Sequence, residues 1–226
     1  MEQTTVKQTK KRVPIAVLVI YCVLFYGAWA VFELLIKDHL AGGNPVVMQL
    51  LRSALIKNLV WTLPAMLLVH KYADCVFIRL KEMFTNKIPW LKLLCGLGIM
   101  TVYLLISAYR THGKIALLPS FGLDSVIIVL FVGITEEMVF RGWLLNATAK
   151  NENDWLAVGV NAVMFLCIHF PRWIHDGEFV RNMASFGFVT IILLSVLFSY
   201  IFLRTKNLLV PVLVHMVWDL LAFMFI

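Results

Sequence analysis

Seven apolar runs, each near the length that carries an α-helix across a bilayer, leave this chain few ways to fold. They lie at about Ile15–Ile36, Val46–Val69, Trp90–Tyr109, Leu123–Leu145, Trp155–Phe170, Val180–Leu203 and Leu208–Ile226. About 20 consecutive apolar residues span the hydrocarbon core. The expectation is therefore an all-α, polytopic transmembrane helical bundle of about seven spans. Composition agrees: 61% of the 226 residues are hydrophobic and 15% are charged, well outside the usual make-up of a soluble domain.

The formal charge of +7 then reads as membrane topology rather than as affinity for nucleic acid, for which no base-stacking or phosphate-binding motif is present. Residues 1–14 form a basic tail (Lys7, Lys10, Lys11, Arg12), and the first span reads as a signal anchor. Lys71, Arg79, Lys81, Lys87, Lys150, Arg204 and Lys206 fall on the side of that tail, outnumbering Lys37, Arg110, Lys114, Arg172 and Arg181 on the other. The positive-inside rule places the N-terminus in the cytoplasm of a multi-pass cell-membrane protein. Cys22, Cys75, Cys95 and Cys167 are scattered without a pairing framework and read as small apolar residues.

Inside the fourth run lies Thr135-Glu136-Glu137-Met138-Val139-Phe140-Arg141. Charges at membrane depth are costly and face a bundle interior or a wet cavity. Glu137 and Arg141 are four residues apart with the acid N-terminal, the favoured order for a helical ion pair. Glu136 points about 100° away round the helix. Arg141 thus neutralises one carboxylate, and the other is left for chemistry. A structural salt bridge with a spare polar neighbour is the plainer reading, and the cost of burial tells against it.

Two more clusters sit at comparable depth. The fifth run ends in Phe165-Leu166-Cys167-Ile168-His169, and the seventh holds His215-Met216-Val217-Trp218-Asp219. A lone histidine in an apolar helix is usually a satisfied core residue. Glu136 and His169, however, each lie about 16 residues, or about 24 Å of helix, from the turn near Glu152–Asn153. In an antiparallel hairpin that puts them at one depth. His215 lies about ten residues, or about 15 Å, past the next turn, and matches that depth if the Asn146–Asp154 tip projects beyond the lipid. Asp219, one turn from His215, can orient its imidazole. Glu136, His169 and His215 are also the ligand types of a catalytic zinc. The lack of a His-Glu-xx-His pair and the cation at Arg141 favour a site free of metal and cofactor. Cys167 points to a different face from His169, and nothing near it would make it a nucleophile.

Glu136-Glu137-xxx-Arg141, Phe165-xxx-His169 and His215-xxx-Asp219, in this order on successive spans, resemble the CAAX protease and bacteriocin-processing family. That family, abbreviated CPBP or ABI, includes the type II CAAX prenyl endopeptidases. The resemblance covers about Gly122 to Phe223, with Ser195-xxx-Ser199 where glycines are usual and Asp219 where prenyl endopeptidases usually carry Asn. It implies N-terminal transmembrane helices over 15–121 and a catalytic core over 122–226, in the last four spans. It also implies an intramembrane endopeptidase in which Glu136 and His169 activate a water. His215, oriented by Asp219, would donate to the oxyanion, with Glu137, Arg141 and Phe165 in support. The substrate would be a peptide, a bacteriocin or pheromone precursor, or the tail of a membrane protein. A self-immunity protein of the same fold, acting with or without proteolysis, is the alternative. A proton-coupled transporter would require internal repeats, which the sequence lacks.

Overall fold

The computed structural model describes residues 11–40 and 42–226. Residues 1–10, with Lys7 and Lys10 of the basic tail, and Ala41 lie outside the described residues. The described chain is helical throughout: α1 (Ile15–Leu40), α2 (Pro45–Lys71), the short α3 (Glu82–Thr85), α4 (Trp90–His112), α5 (123–148), α6 (Trp155–His175), the short α7 (Phe179–Ala184), α8 (Gly187–Thr205) and α9 (Leu209–Phe225). α1, α2, α4, α6 and α8 are long and apolar enough to cross a membrane. α5 has the length but carries Asp124, Glu136, Glu137 and Arg141, and α9 is 17 residues long. The seven expected spans are thus seven long helices, five of which meet both criteria.

Successive long helices run up and down. At one end Asn86 Nδ2 donates to Lys206 O at 2.8 Å and Arg204 donates to Asn153 Oδ1 at 2.7 Å. The Lys206 ammonium, 2.7 Å from Glu152, holds that exposed carboxyl below its usual range, with Arg204 helping. At the other end Lys37 pairs with Asp176 at 3.2 Å, and the Leu118 N–H donates to Met224 O at 2.9 Å. α2 starts directly after the turn-forming residues Gly42, Gly43 and Asn44. Asn44 Oδ1 accepts from the Val46 and Val47 N–H groups, and Pro45 sits in the first turn, where its missing donor is harmless.

α5 is the central helix and packs against α2, α6, α8 and α9. Every residue from Thr135 to Asn146 is buried. By contrast α1 and α4 expose Ile15, Val19, Val23, Leu91, Ile99 and Val102, faces that suit lipid. An aromatic layer joins the inner elements: Trp61 meets Trp29 at 4.6 Å and Phe25 at 4.8 Å, and Phe140 meets Phe165 at 5.1 Å.

Three boundaries differ from the sequence expectation. The loop expected from Pro171 to Glu178 is helical to His175, with a break at Ile168 instead. Proline removes one N–H and crowds the carbonyl four residues back, so the disruption falls just before Pro171. Side chains of α1 reach carbonyls around the break: Tyr26 OH donates to Met164 O and Trp29 Nε1 to Ile168 O, both at 2.7 Å. The sixth span does not begin at Val180. α7 ends in a turn with Phe186 in the left-handed region (φ 58°), and α8 starts at Gly187.

The third difference concerns Asn146, expected in a polar turn and instead fully buried in the last turns of α5. Its side chain donates to Ile78 O at 2.8 Å and accepts from the Ile78 N–H at 2.7 Å, clamping the connector between α2 and α4. Asn146→Ala would strand both backbone groups of buried Ile78 and should cost about 2–3 kcal/mol. Thermal unfolding in detergent reads this directly; an unchanged midpoint would show that the clamp holds nothing.

Candidate active site

The site grows out of the buried stretch of α5. Gly133 opens it: a Cβ there would lie 2.7 Å from Met216 Cγ and 3.3 Å from the Val212 carbonyl, so its absence lets α9 approach α5 closely. Val212 and Met216 flank His215, which this approach carries to Glu137. His215 Nδ1 lies 2.8 Å from Glu137 Oε1. Arg141 Nη1 donates to the same oxygen at 3.0 Å, with both members of the pair wholly buried. Past Glu137 the helix is wound as a π-helix over Met138–Leu145, and such wide turns recur at functional sites.

Arg141 also reaches α8. Its Nη2 donates to Ser195 Oγ at 2.7 Å and to Ser195 O at 2.9 Å. Its guanidinium lies 4.7 Å from the ring centre of Phe165 and 5.3 Å from that of Phe198. Ser195 and Ser199 are both fully buried, and Ser199 donates to Asn161 Oδ1 at 3.3 Å. Asn161 in turn donates to Phe140 O at 2.8 Å within the π-helical stretch. The two serines thus serve as polar partners as well as small residues.

His215 is held on its ring faces too, stacked on Phe198 at 4.9 Å and edge-on to Phe165 at 6.0 Å. Its Nε2 looks toward Asp219 Oδ2 at 3.5 Å and Glu136 Oε2 at 4.0 Å. Both ring nitrogens therefore face carboxylate oxygens and are placed as donors. The orientation expected from Asp219 alone is set mainly by Glu137, whose contact is the shorter. His169 stands beyond the Ile168 break, its Nδ1 3.0 Å from Phe165 O and its ring 5.4 Å from that of Phe165.

Glu136, His169, His215 and Asp219 all line one cavity of about 450 Å³. No contact within 4.0 Å joins Glu136 to His169; the imidazole nearest the carboxylate is that of His215. Among the described residues no three His, Cys, Asp or Glu side chains form a cluster that could hold a metal ion.

Residues 118–221 match the family model described as type II CAAX prenyl endopeptidase Rce1-like. The segment is an Rce1-like domain. The match covers 104 of the 226 residues and supports a membrane protease of the CAAX type, a hydrolase that acts on a peptide or protein. No curated protein and no solved structure matches it.

The Rce1-like segment does not build the cavity alone. Trp29, Glu33, Arg52, Ser53 and Lys57, from α1 and α2, form much of its wall. Of these, Arg52 and Lys57 stand out in the sequence as cations near the start of the second apolar run, an end that is either interfacial or lines a polar cavity. Both line the cavity; Glu33 sits at the end of an ordinary apolar span and carries no such mark. The available signal was two cations and a serine within the second apolar run. α2 is π-helical over Leu50–Ile56 and Asn58–Thr62 and continues through Pro64 without ending there.

Proposed function

We propose that the chain hydrolyses a peptide bond within the membrane by a water activated at Glu136 and His169. The observation that carries this reading is the separation of the two adjacent glutamates. Glu137 is consumed by Arg141 and His215, whereas Glu136 stands at the cavity wall with no hydrogen bond to either. Glu136 takes a proton as the water oxygen bonds to the carbonyl carbon. The carbonyl oxygen becomes an oxyanion, to which His215 Nε2–H donates. Collapse breaks the C–N bond, and the proton on Glu136 passes to the leaving nitrogen, giving one new carboxyl and one new amine. Phe165 is the spacer that fixes both imidazoles and floors the Arg141 guanidinium.

The basic residues Lys71, Arg79, Lys81, Lys87, Lys150, Arg204 and Lys206 all belong to the end of the bundle from which α1 starts. This supports a multi-pass orientation with that end cytoplasmic.

Proteoliposomes holding the wild-type chain should generate new chain ends in co-reconstituted membrane peptides, detected by mass spectrometry of termini. The same products should form after exhaustive chelation. Loss of cleavage on chelation, with recovery on adding zinc, would move Glu136, His169 and His215 into the role of ligands. An absence of any new ends would overturn the hydrolytic reading.

A further inference from the structure

The proposed mechanism leaves the oxyanion short of donors. His215 Nε2 is the single donor offered by α9, because Asp219 stands in contact with that nitrogen as an acceptor and an ionised carboxylate has no hydrogen to give. The cavity also contains four cationic side chains, and three are already engaged. Lys37 pairs with Glu33 and Asp176, each at 3.2 Å. Arg172 lies 3.5 Å from Asp176. Arg52 donates to the carbonyls of Lys37 and Leu40 at the end of α1.

Lys57 differs. Its Nζ sits 4.8 Å from the ring centre of Trp29 and 5.2 Å from that of Trp61. Among the described residues no hydrogen-bond acceptor or ion-pair partner engages it. Two indole faces hold an ammonium in place without using its N–H donors. Lys57 lines the same cavity as Glu136 and His215. The lysine lies between the two π-helical segments of α2 and outside the Rce1-like segment.

We infer that Lys57 is a catalytic residue of this protease, supplying the second donor to the oxyanion that forms when the water at Glu136 attacks. The inference rests on the hydrolytic reading above. The lysine moves no proton: its ammonium donates to the carbonyl oxygen as negative charge develops there, and that bond weakens when the C–N bond breaks and the carbonyl re-forms. Such a donor, fixed before the reaction in a cavity with apolar walls, acts on the transition state far more than on the bound substrate.

The test compares wild type with Lys57→Met and Lys57→Arg in proteoliposomes, on a peptide the wild type cleaves and on its phosphinate isostere, whose tetrahedral anion mimics the intermediate. Lys57→Met should lower kcat about 100-fold with KM within about threefold of wild type, and should weaken phosphinate binding in proportion. Lys57→Arg should lose less of each, and the melting temperature should hold. A raised KM at unchanged kcat would make Lys57 a substrate anchor and overturn the inference, as would an unchanged rate. Where Lys57→Met fails to fold, Lys57→Gln gives the same reading, a fall in kcat without a rise in KM. Wild type without cleavage would overturn the hydrolytic reading itself, and full activity in Glu136→Gln would overturn the placing of the water at Glu136. A silent Glu136→Gln beside a fully active Lys57→Met removes only the assignment of Lys57.

Discussion

Glu136→Gln is expected to lower peptide cleavage about 10³–10⁴-fold, the upper range for removal of a general base, while the protein folds and reconstitutes as wild type does. The geometry explains why the two effects separate. Glu136 has His215 at 4.0 Å as its one close charged neighbour, and the Glu137–Arg141–His215 chain is complete without it. A neutral amide of the same shape removes the proton acceptor and leaves that chain in place. His169→Ala should be nearly as inactive. The double variant should be little worse than either single one, because groups acting on one water lose their effect together. A protein that only binds, as in the immunity reading, would instead lose affinity in modest and roughly additive steps. Cleavage by Glu136→Gln at the wild-type rate would show that the roles within the glutamate pair are wrongly assigned. Producer protection persisting in the double variant without any cleavage would favour immunity over proteolysis.

Arg141→Ala is expected to destabilise the protein by about 3–5 kcal/mol, the range for leaving one partner of a buried ion pair uncompensated. The guanidinium is wholly buried, and it joins Glu137 on α5 to Ser195 on α8 while lying against Phe165 and Phe198. Its removal strands the Glu137 carboxylate in a dry interior and opens a void among aromatic rings. Glu137→Gln should be destabilising as well, since it leaves Arg141 and His215 without the negative charge they share. The double variant Glu137→Gln/Arg141→Met, with both charges gone, should be more stable than Arg141→Ala alone. Thermal unfolding in one detergent measures all three. A shift for Arg141→Ala no larger than that for Ser195→Ala would mean that the charge is relieved by solvent and that the pair is not a structural hub.

Much of the architecture was legible before any coordinates. The apolar runs placed the seven long helices because backbone hydrogen bonding in lipid leaves a segment of that length little alternative. The errors fell where backbone detail outweighs composition. Pro171 marked a disruption, but the break lies at Ile168 because the missing hydrogen bond belongs to the preceding turn. Asn146 opens the polar Asn146–Asp154 stretch, which by composition reads as a turn. It is buried because its amide matches both backbone groups of Ile78, a pairing across 68 residues that no local pattern announces.

The sequence by itself determined the pairing of Glu137 with Arg141, since a separation of four residues is local geometry that the helix imposes. It also set Glu136 and His169 at one depth, since rise per residue converts sequence distance into height, with His215 joining them only if the Asn146–Asp154 tip projects beyond the lipid. Only the tertiary structure decided which of these groups touch. His215 meets Glu137 because Gly133 lets α9 close on α5, and the rotation of one helix against another is set by packing at such points rather than by periodicity. Lys57 entered the cavity by the same kind of decision. Its face of α2 depends on π-helical winding on either side of it, which changes the angular register of the helix and leaves no repeat in the sequence to read.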